Sequence, residues 1–303
     1  MIDRAATSAG DGLFDEAFLR RLELLAVVAR KVKSGQRRGE RRSRRLGTGL
    51  EFADHRDYAP GDDLRYLDWG AYGRLGRLLV RLFEEEEDLY VHLLLDASAS
   101  MAGGRPPKHD YARRVVAALA YVALANLDRV EVVPLQGGGV VGATLPPGRG
   151  RGRIFALLEL LRATPAAGTT DLAAAVGAFV HRTRRRGIAV LVSDFYDPAG
   201  FTGALDLLRY HRFESFALQI IDPREARPEL HGDLELVDCE TGAARPITIS
   251  PRLLADYIRA HEGLCHDLAA YCKARGITSL RVETDTPFDE LVLRLFRQGG
   301  FLQ

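Results

Sequence analysis

The stretch Val91–Met101, which reads VHLLLDASASM, indicates the fold because an apolar strand stops there at a run of oxygen side chains. Alternate residues of an extended chain project to one side, so Asp96, Ser98 and Ser100 can converge on one point. Carboxylate and hydroxyl oxygens at such a point suit a hard cation such as Mg²⁺. A buried strand followed by an ordinary polar turn would give the same pattern.

Two further segments favour the metal site over the turn. Gly168–Val176 (GTTDLAAAV) places hydroxyls after a glycine turn and predicts a helix with Asp171 in its first turn. Ile188–Phe195 (IAVLVSDF) is again a continuous apolar strand that ends in a carboxylate. The predicted ligands of one divalent cation are Asp96, Ser98, Ser100, Thr170 and Asp194.

Apolar strands and helices alternate from Tyr90 onward, which is typical of an α/β fold. Right-handed crossovers would build a doubly wound, mainly parallel, Rossmann-like sheet, whose ligands bind at the carboxyl ends of the strands, where Asp96 and Asp194 fall. The predicted strands are 90–95, 130–135, 140–145, 188–193 and 213–221, and the predicted helices are 106–126, 152–163, 171–186 and 199–211.

The chain organisation follows from these patterns and from the segments around them. Residues 1–45 contain an amphipathic helix at 14–33 and a basic linker at 30–45, and 46–88 form a β-rich segment. Residues 89–225 form the main α/β domain, and 226–303 complete it. The C-terminal elements are a hairpin within 234–249 around Glu240-Thr241-Gly242, a helix at 251–275, a strand at 277–283 and a closing helix at 287–298.

The three oxygen-bearing segments, in this order, resemble the metal-ion-dependent adhesion site of von Willebrand factor A domains. In that family an Asp-x-Ser-x-Ser loop, a Thr loop and an Asp loop surround one Mg²⁺ or Mn²⁺. One coordination position stays open for an acidic residue of a partner. The resemblance implies a von Willebrand A-like domain that binds proteins, with Asp96, Thr170 and Asp194 marking its three loops.

A second resemblance comes from Gly47–Phe52 (GTGLEF), Arg56–Trp69 (RDYAPGDDLRYLDW) and Arg81–Glu86 (RLFEEE), which run into the Asp96 strand. This order is similar to the DUF58 family of bacterial and archaeal proteins, and the resemblance spans about Phe14 to Phe301. The family is usually associated with MoxR-type AAA+ ATPases, which implies such an ATPase, and its protein substrate, as partners. Many members have N-terminal membrane helices, a pattern from which this chain departs.

Composition predicts a cytoplasmic protein without stable membrane insertion. In 303 residues, 42 Lys and Arg balance 41 Asp and Glu, so no overall charge favours nucleic acid or a membrane surface. No apolar run approaches the roughly 18–20 residues of a membrane-spanning helix, and Met1–Asp15 lacks the pattern of a signal peptide. Cys239, Cys265 and Cys272 suit a reducing compartment as free thiols.

The segment around Pro60-Gly61 is denser in charge than a turn requires, and we expect strands on both sides of this turn. The pattern favours an Asp–Arg network that fixes the loop against Trp69, at the border of a partner surface. The residues of this cluster are Arg56, Asp57, Tyr58, Asp62, Asp63, Arg65, Asp68 and Trp69.

Two segments suggest zinc binding and nucleic-acid binding, and for each the pattern favours a structural role. His261, Cys265, His266 and Cys272 suggest zinc, but adjacent helical residues differ by about 100°, so they do not share one face and are predicted to be packing and surface residues. The basic run Arg37–Arg45 has no interleaved aromatic residue for base stacking, so it is predicted to be a solvated linker.

The sequence favours a binding module over an enzyme. It contains neither a phosphate-binding Gly-x-x-x-x-Gly-Lys-Ser/Thr motif nor a Gly-x-Ser-x-Gly nucleophile elbow. Together with the predicted metal ligands, the two resemblances imply a cytoplasmic adaptor that uses Mg²⁺ or Mn²⁺ to hold an acidic residue of a MoxR-type AAA+ ATPase or of its protein substrate, with no role for nucleic acid. A metal-dependent hydrolase that uses the carboxylates from Asp57 to Asp68 is the alternative.

Overall fold

The computed structural model describes residues 12–25, 46–47, 51–84, 89–137, 144–287 and 290–291. The chain divides into two compact units. The larger unit combines Met1–Ser34 with Leu89–Leu302, and the smaller unit is Gly35–Asp88, with which the terminal Gln303 is grouped. All five predicted metal ligands belong to the larger unit, and the charge cluster from Arg56 to Trp69 belongs to the smaller unit.

Helices and strands alternate through the larger unit, whereas the smaller unit is mainly β. The helices are α1 (residues 16–25), α2 (Trp69–Leu75), α3 (Lys108–Ala125), α4 (Arg153–Ala163), α5 (Leu172–Arg182), α6 (Thr202–Tyr210), α7 (Pro223–Ala226) and α8 (Pro251–Ala274). The strands are β1 (Leu46–Gly47), β2 (Glu51–Asp57), β3 (Leu79–Glu84), β4 (Tyr90–Asp96), β5 (Arg129–Leu135), β6 (Leu145–Gly148), β7 (Ile188–Ser193), β8 (Glu214–Ile221), β9 (Gly232–Val237), β10 (Ala244–Ile249) and β11 (Thr278–Glu283).

A six-stranded sheet lies at the centre of the larger unit, in the order β11-β8-β7-β4-β5-β6. Neighbouring strands are parallel, except that β6 runs antiparallel to β5. The middle strands β4 and β7 are buried along nearly their whole length, as their continuous apolar runs require. The mainly parallel α/β sheet that the sequence predicts is therefore confirmed.

Helices cover both faces of this sheet. On one face, α3 and α4 share a core with α1, which contributes Phe18 and Leu22. On the other face, α5, α6 and α8 pack together around Phe179 and Leu205. This arrangement is the doubly wound architecture expected from the alternation of elements. It also confirms the amphipathic N-terminal helix over 16–25, and its expected continuation to residue 33 lies outside the described residues.

Helix α5 ends earlier than the apolar pattern predicts, at Arg182 instead of residue 186. Thr183 takes an extended conformation, and its N–H donates the last helical hydrogen bond to the carbonyl of Phe179. Because β7 begins at Ile188, residues 183–187 are needed to reverse the direction of the chain. Most of the strand predicted at 140–145 lies outside the described part of the chain, which resumes at residue 144, and the described residues Leu145–Gly148 form β6.

The smaller unit contains an antiparallel sheet in the order β1-β3-β2. The turn after β2 leads into a 3-10 turn at Leu64–Tyr66 and then into α2, so the expectation of a strand after this turn is wrong. Two carboxylates explain the helical structure, because Asp63 accepts a hydrogen bond from the N–H of Arg65 and Asp68 accepts one from that of Ala71. Such caps stabilise helical turns.

The hairpin, α8 and β11 occur where the sequence predicts them. Helix α8 begins with the side chain of Ser250 as its cap and Pro251 in its first turn, a favourable helix start. Strand β11 then pairs in parallel with β8 at the edge of the sheet. Of the closing helix predicted at 287–298, the described residues 290–291 are helical.

Candidate metal centre

Two carboxylates meet at the carboxyl edge of the sheet, where β4 and β7 end side by side. Leu95 pairs with Val192, Asp96 is the last residue of β4, and Asp194 directly follows β7. Asp96 is 2% exposed and Asp194 is 0% exposed. The two central strands therefore bring the predicted carboxylates to the edge at which parallel sheets bind ligands.

Both oxygens of Asp96 accept hydrogen bonds. Oδ1 accepts from the N–H of Ser98 at 2.9 Å, and Oδ2 accepts from the hydroxyl of Ser193 at 2.6 Å. Burial, followed by the nearby charge of Asp194, raises the pKa of Asp96 to about 6. A cation at this position would offset both effects, because it replaces lost hydration and balances the second carboxylate.

The predicted hydroxyl ligands lie on two adjoining loops. The Oγ atoms of Ser98 and Ser100 are 3.0 Å apart. Between them, the N–H of Ala99 donates to the carbonyl of Gly168 at 2.9 Å. This backbone hydrogen bond holds the loop that contains Thr170 beside the Asp-x-Ser-x-Ser loop.

Thr170 binds an acidic residue of the chain itself. Its N–H donates to Oε2 of Glu240 at 2.9 Å, and its hydroxyl donates to Oε1 at 2.5 Å. Glu240 lies in the turn between β9 and β10, 70 positions further along the chain. The hydroxyl that the sequence predicts as a metal ligand is therefore engaged by a carboxylate.

Asp194 is bound by an ammonium group. The Nζ atom of Lys108 lies 2.8 Å from Oδ2 of Asp194, 2.5 Å from Oε2 of Glu225 and 4.7 Å from the ring centre of Tyr196. Lys108 is only 1% exposed. Burial would lower the pKa of Lys108, but the charges of Asp194 and Glu225 outweigh burial and raise it. A charged lysine therefore already neutralises part of this acidic site.

The backbone directly after Asp194 is strained. Phe195 has a φ of 62° and is 1% exposed. A bulky residue in the left-handed region costs on the order of 1–3 kcal/mol and persists only where surrounding contacts impose it. Here the N–H of Phe195 donates to the hydroxyl of Ser193, and the N–H of Tyr196 donates to Oδ1 of Asp194 at 3.0 Å. Strain of this kind concentrates at binding sites.

The donor set fits one hard divalent cation. Asp96 and Asp194 supply carboxylates, and Ser98 and Ser100 supply hydroxyls, which are oxygen ligands of the type that Mg²⁺ and Mn²⁺ prefer. Thr170 would add a third hydroxyl after Glu240 releases it. No group of three or more His, Cys, Asp or Glu side chains within the described ranges could hold a metal ion, so such a site depends on its hydroxyls.

Four side chains around the site are absent from the sequence prediction: Lys108, Ser193, Glu225 and Glu240. Ser193 had a local signal, because it directly precedes Asp194 at the end of an apolar strand. Lys108 had none, since it lies 86 positions from Asp194 and 117 from Glu225. Contacts over such distances depend on the fold and not on a motif.

We expect the metal-free protein to gain stability relative to Asp96→Asn as the pH falls from about 6 to about 4. The pKa of Asp96 in the folded state, about 6, lies above its ordinary value of 3.8, so the folded state binds this proton more tightly. Ionised Asp96 therefore costs stability above pH 6, and protonation removes that cost. Urea unfolding in EDTA across this pH range measures the difference, and a constant difference would contradict the burial argument.

The charge cluster of the smaller unit is organised as ion pairs within that unit. These pairs join Arg56 to Asp62, Arg65 to Asp63 and Arg77 to Asp57, with N···O distances of 2.8, 2.7 and 2.9 Å. Hydrogen bonds, first from the N–H of Ala71 and then from His55, lower the pKa of Asp68 to about 2. Trp69 is 62% exposed and its ring packs edge-on against Tyr72. The predicted Asp–Arg network exists, but the expectation that it fixes the loop against Trp69 is wrong.

The histidines and cysteines of α8 have packing and surface positions. Nε2 of His261 lies 2.9 Å from the hydroxyl of Tyr196. Cys265 and Cys272 are buried, whereas His266 is exposed. These two thiols and Cys239 are free, as predicted. These positions are the packing and surface positions that the helical spacing predicts.

Comparison with known proteins identifies the family of this chain. The sequence profile described as "Protein of unknown function DUF58" matches residues 54–263. The chain belongs to the DUF58 family. An uncharacterized protein of Mycobacterium bovis is 31% identical over 274 residues, covering 89% of this DUF58 chain and 84% of that protein. An uncharacterized protein of Mycobacterium tuberculosis gives the same identity and coverage. The resemblance to DUF58 in the sequence is thereby confirmed.

Solved structures are similar to this DUF58 protein at low identity. A conserved hypothetical protein, BatB from Bacteroides thetaiotaomicron, aligns with a TM-score of 0.43 and 16% identity, over 71% of this chain and 98% of that chain. Manganese-loaded TRAP protein of Plasmodium vivax aligns with a TM-score of 0.38 and 15% identity, over 69% of this chain and 72% of that chain.

Among the helices in the described ranges, none is both long and apolar enough to span a membrane.

Proposed function

We propose that this DUF58 protein is a cytoplasmic protein-binding adaptor that uses Mg²⁺ or Mn²⁺ to hold an acidic side chain of its partner. The observation that supports this most strongly is the buried pair Asp96 and Asp194 beside the hydroxyls of Ser98 and Ser100. Two buried carboxylates need cationic charge to offset their desolvation and mutual repulsion. A divalent ion would supply more of that charge than one lysine.

The residues would hold the ion in a way that leaves it attractive to a third carboxylate. Asp96 and Asp194 would bind it through charged oxygens, and Ser98, Ser100 and Thr170 through neutral hydroxyls. When bound, the ion supplies concentrated positive charge at the edge of the sheet. Because only two of five ligands are charged, an external Asp or Glu side chain gains a strong bond by completing the coordination.

The proposed partner is a MoxR-type AAA+ ATPase, with which the adaptor acts in protein remodelling or complex maturation. The support for this partner is membership of the DUF58 family, because the resemblance to that family implies such an ATPase. A metal-dependent hydrolase has less support. Its candidate carboxylates, Asp57, Asp62 and Asp63, are each engaged by an arginine of the smaller unit.

We expect the wild-type chain with Mg²⁺ to capture an AAA+ ATPase from cytoplasmic extract, and Asp96→Ala to capture none. The reason is that the metal bridge loses one of its two carboxylate ligands. Mass spectrometry identifies the bound proteins. The interaction is then measured by calorimetry with the purified ATPase. EDTA should weaken wild-type binding at least about 10-fold, because even a bond to one charged group contributes about 1.5–3 kcal/mol.

The matched control is Asp267→Ala, which removes an exposed carboxylate of α8. This variant should bind the ATPase as the wild type does. Equal capture by wild type and Asp96→Ala, in Mg²⁺ and in EDTA alike, would show that the metal bridge does not mediate binding.

A further inference from the structure

The tip of the β9–β10 hairpin places a carboxylate on the candidate metal centre. Glu240 accepts hydrogen bonds from both the N–H and the hydroxyl of Thr170, at 2.9 and 2.5 Å. Glu240 is partly buried there, although the two strands of the hairpin are largely exposed. This two-bond contact therefore attaches an otherwise exposed hairpin to the loop that contains a predicted metal ligand.

The turn that presents Glu240 is held by its own hydrogen bonds. Oδ1 of Asp238 accepts from the N–H of Glu240 at 2.8 Å and from that of Thr241 at 3.0 Å. Gly242 takes the left-handed conformation, with a φ of 72°, and its N–H donates to the carbonyl of Asp238. Such a turn orients the carboxylate of Glu240 before it contacts Thr170. The contact therefore costs little conformational entropy, because few additional groups become ordered.

Glu240 brings to the site the same chemical group that the proposed partner would bring. At the other side of the site, the ammonium of Lys108 contacts Asp194 and supplies positive charge. The chain itself thus supplies a positive charge, from Lys108, and a carboxylate of the kind that a partner would present, from Glu240. We infer that Glu240 is an internal ligand, which occupies Thr170 until an acidic side chain of the partner displaces it. This inference rests on the proposed function and specifies what the partner presents, namely a carboxylate on a tight turn.

An internal ligand competes with the partner's carboxylate for the same place beside Thr170. Tethered groups act at effective concentrations of the order of millimolar, so a hairpin tip on its own chain is a strong competitor even when each contact is modest. Removing the carboxylate of Glu240 should therefore raise the affinity of the site for an external acidic turn. Because the two bonds to Thr170 involve a charged acceptor, the neutral amide of Gln is a poor substitute.

The probe that tests this inference is a backbone-cyclised peptide that copies residues 232–249, with Cys239→Ser to prevent disulfides. Calorimetry should show that it binds full-length Glu240→Ala at least about 10-fold more tightly than wild type, because the internal competitor is gone. The matched protein control is Glu235→Ala, which removes an exposed carboxylate of β9 and should bind like wild type. The same peptide with Glu240→Gln should not bind the Glu240→Ala protein.

Hydrogen exchange provides a second measurement that requires neither peptide nor metal. The amide of Thr170 donates to Glu240, so its exchange should be faster in Glu240→Ala than in wild type. Unchanged exchange, equal affinity of the peptide for both proteins, or no binding to the variant would overturn the inference. Tight binding to the variant that persists in EDTA would support the internal ligand and contradict the metal bridge, so the two proposals can fail separately.

Discussion

Replacing Lys108 with Met is expected to lower the free energy of unfolding by about 3–5 kcal/mol, the usual cost of removing one partner of a buried ion pair. Lys108 is 1% exposed and lies 2.8 Å from Asp194, which is fully buried. Without the ammonium group, Asp194 keeps a buried charge near the carboxylate of Asp96 and Glu225 loses its cation. Urea unfolding in EDTA, followed by circular dichroism, measures the change.

The control for this variant is Lys273→Met, which removes an exposed lysine from the last turn of α8 and should change stability little. Adding Asp194→Asn to Lys108→Met should recover part of the loss, because it removes the unpaired charge. If the centre binds a divalent ion, Mg²⁺ should stabilise Lys108→Met more than wild type, since the ion replaces the missing charge. A loss no larger than that of Lys273→Met would show that the buried lysine contributes no such stabilisation.

The sequence predicts the carboxylates of the site but not the groups that bind them. Asp96 and Asp194 each end an apolar run, and parallel strands place such ends at one edge, so two local patterns are sufficient. Lys108 stands in the first turn of α3, where the helix dipole disfavours a cation and where a lysine is ordinarily solvated. Its burial follows from two distant carboxylates, which no periodicity reveals.

The same distinction explains which elements the sequence misses. Strand β7 is predicted at its observed bounds because burial on both faces leaves an uninterrupted apolar run. Helix α2 is missed because its start depends on the carboxylate of Asp68 as a cap and its end on left-handed Gly76, within a segment of mixed polarity. The hairpin turn around Glu240 is predicted from its residues, but its contact with Thr170 depends on tertiary structure.

We expect Asp96→Asn to weaken Mn²⁺ binding on the order of 100-fold or more. Substitutions that only disturb residues behind a metal ligand typically cost 10–100-fold in affinity, so loss of a direct carboxylate should reach at least the upper end of that range. Asp96 is one of two carboxylates in the predicted set, and its charge cannot be replaced by the neutral oxygens of Ser98 and Ser100. Calorimetric titration of the full-length protein with Mn²⁺ measures the affinity.

Asp267→Asn, the same chemical change at an exposed position of α8, should leave Mn²⁺ affinity unchanged. Ser98→Ala should give a smaller loss than Asp96→Asn, because it removes a neutral donor and keeps both charges. This order of effects separates a site that binds an ion directly from one that merely attracts cations. The contrary outcome is that Ser98→Ala has no effect while Asp96→Asn weakens binding. In that case the negative charge of the site attracts the ion without coordination by Ser98, and the prediction that this hydroxyl is a metal ligand is wrong.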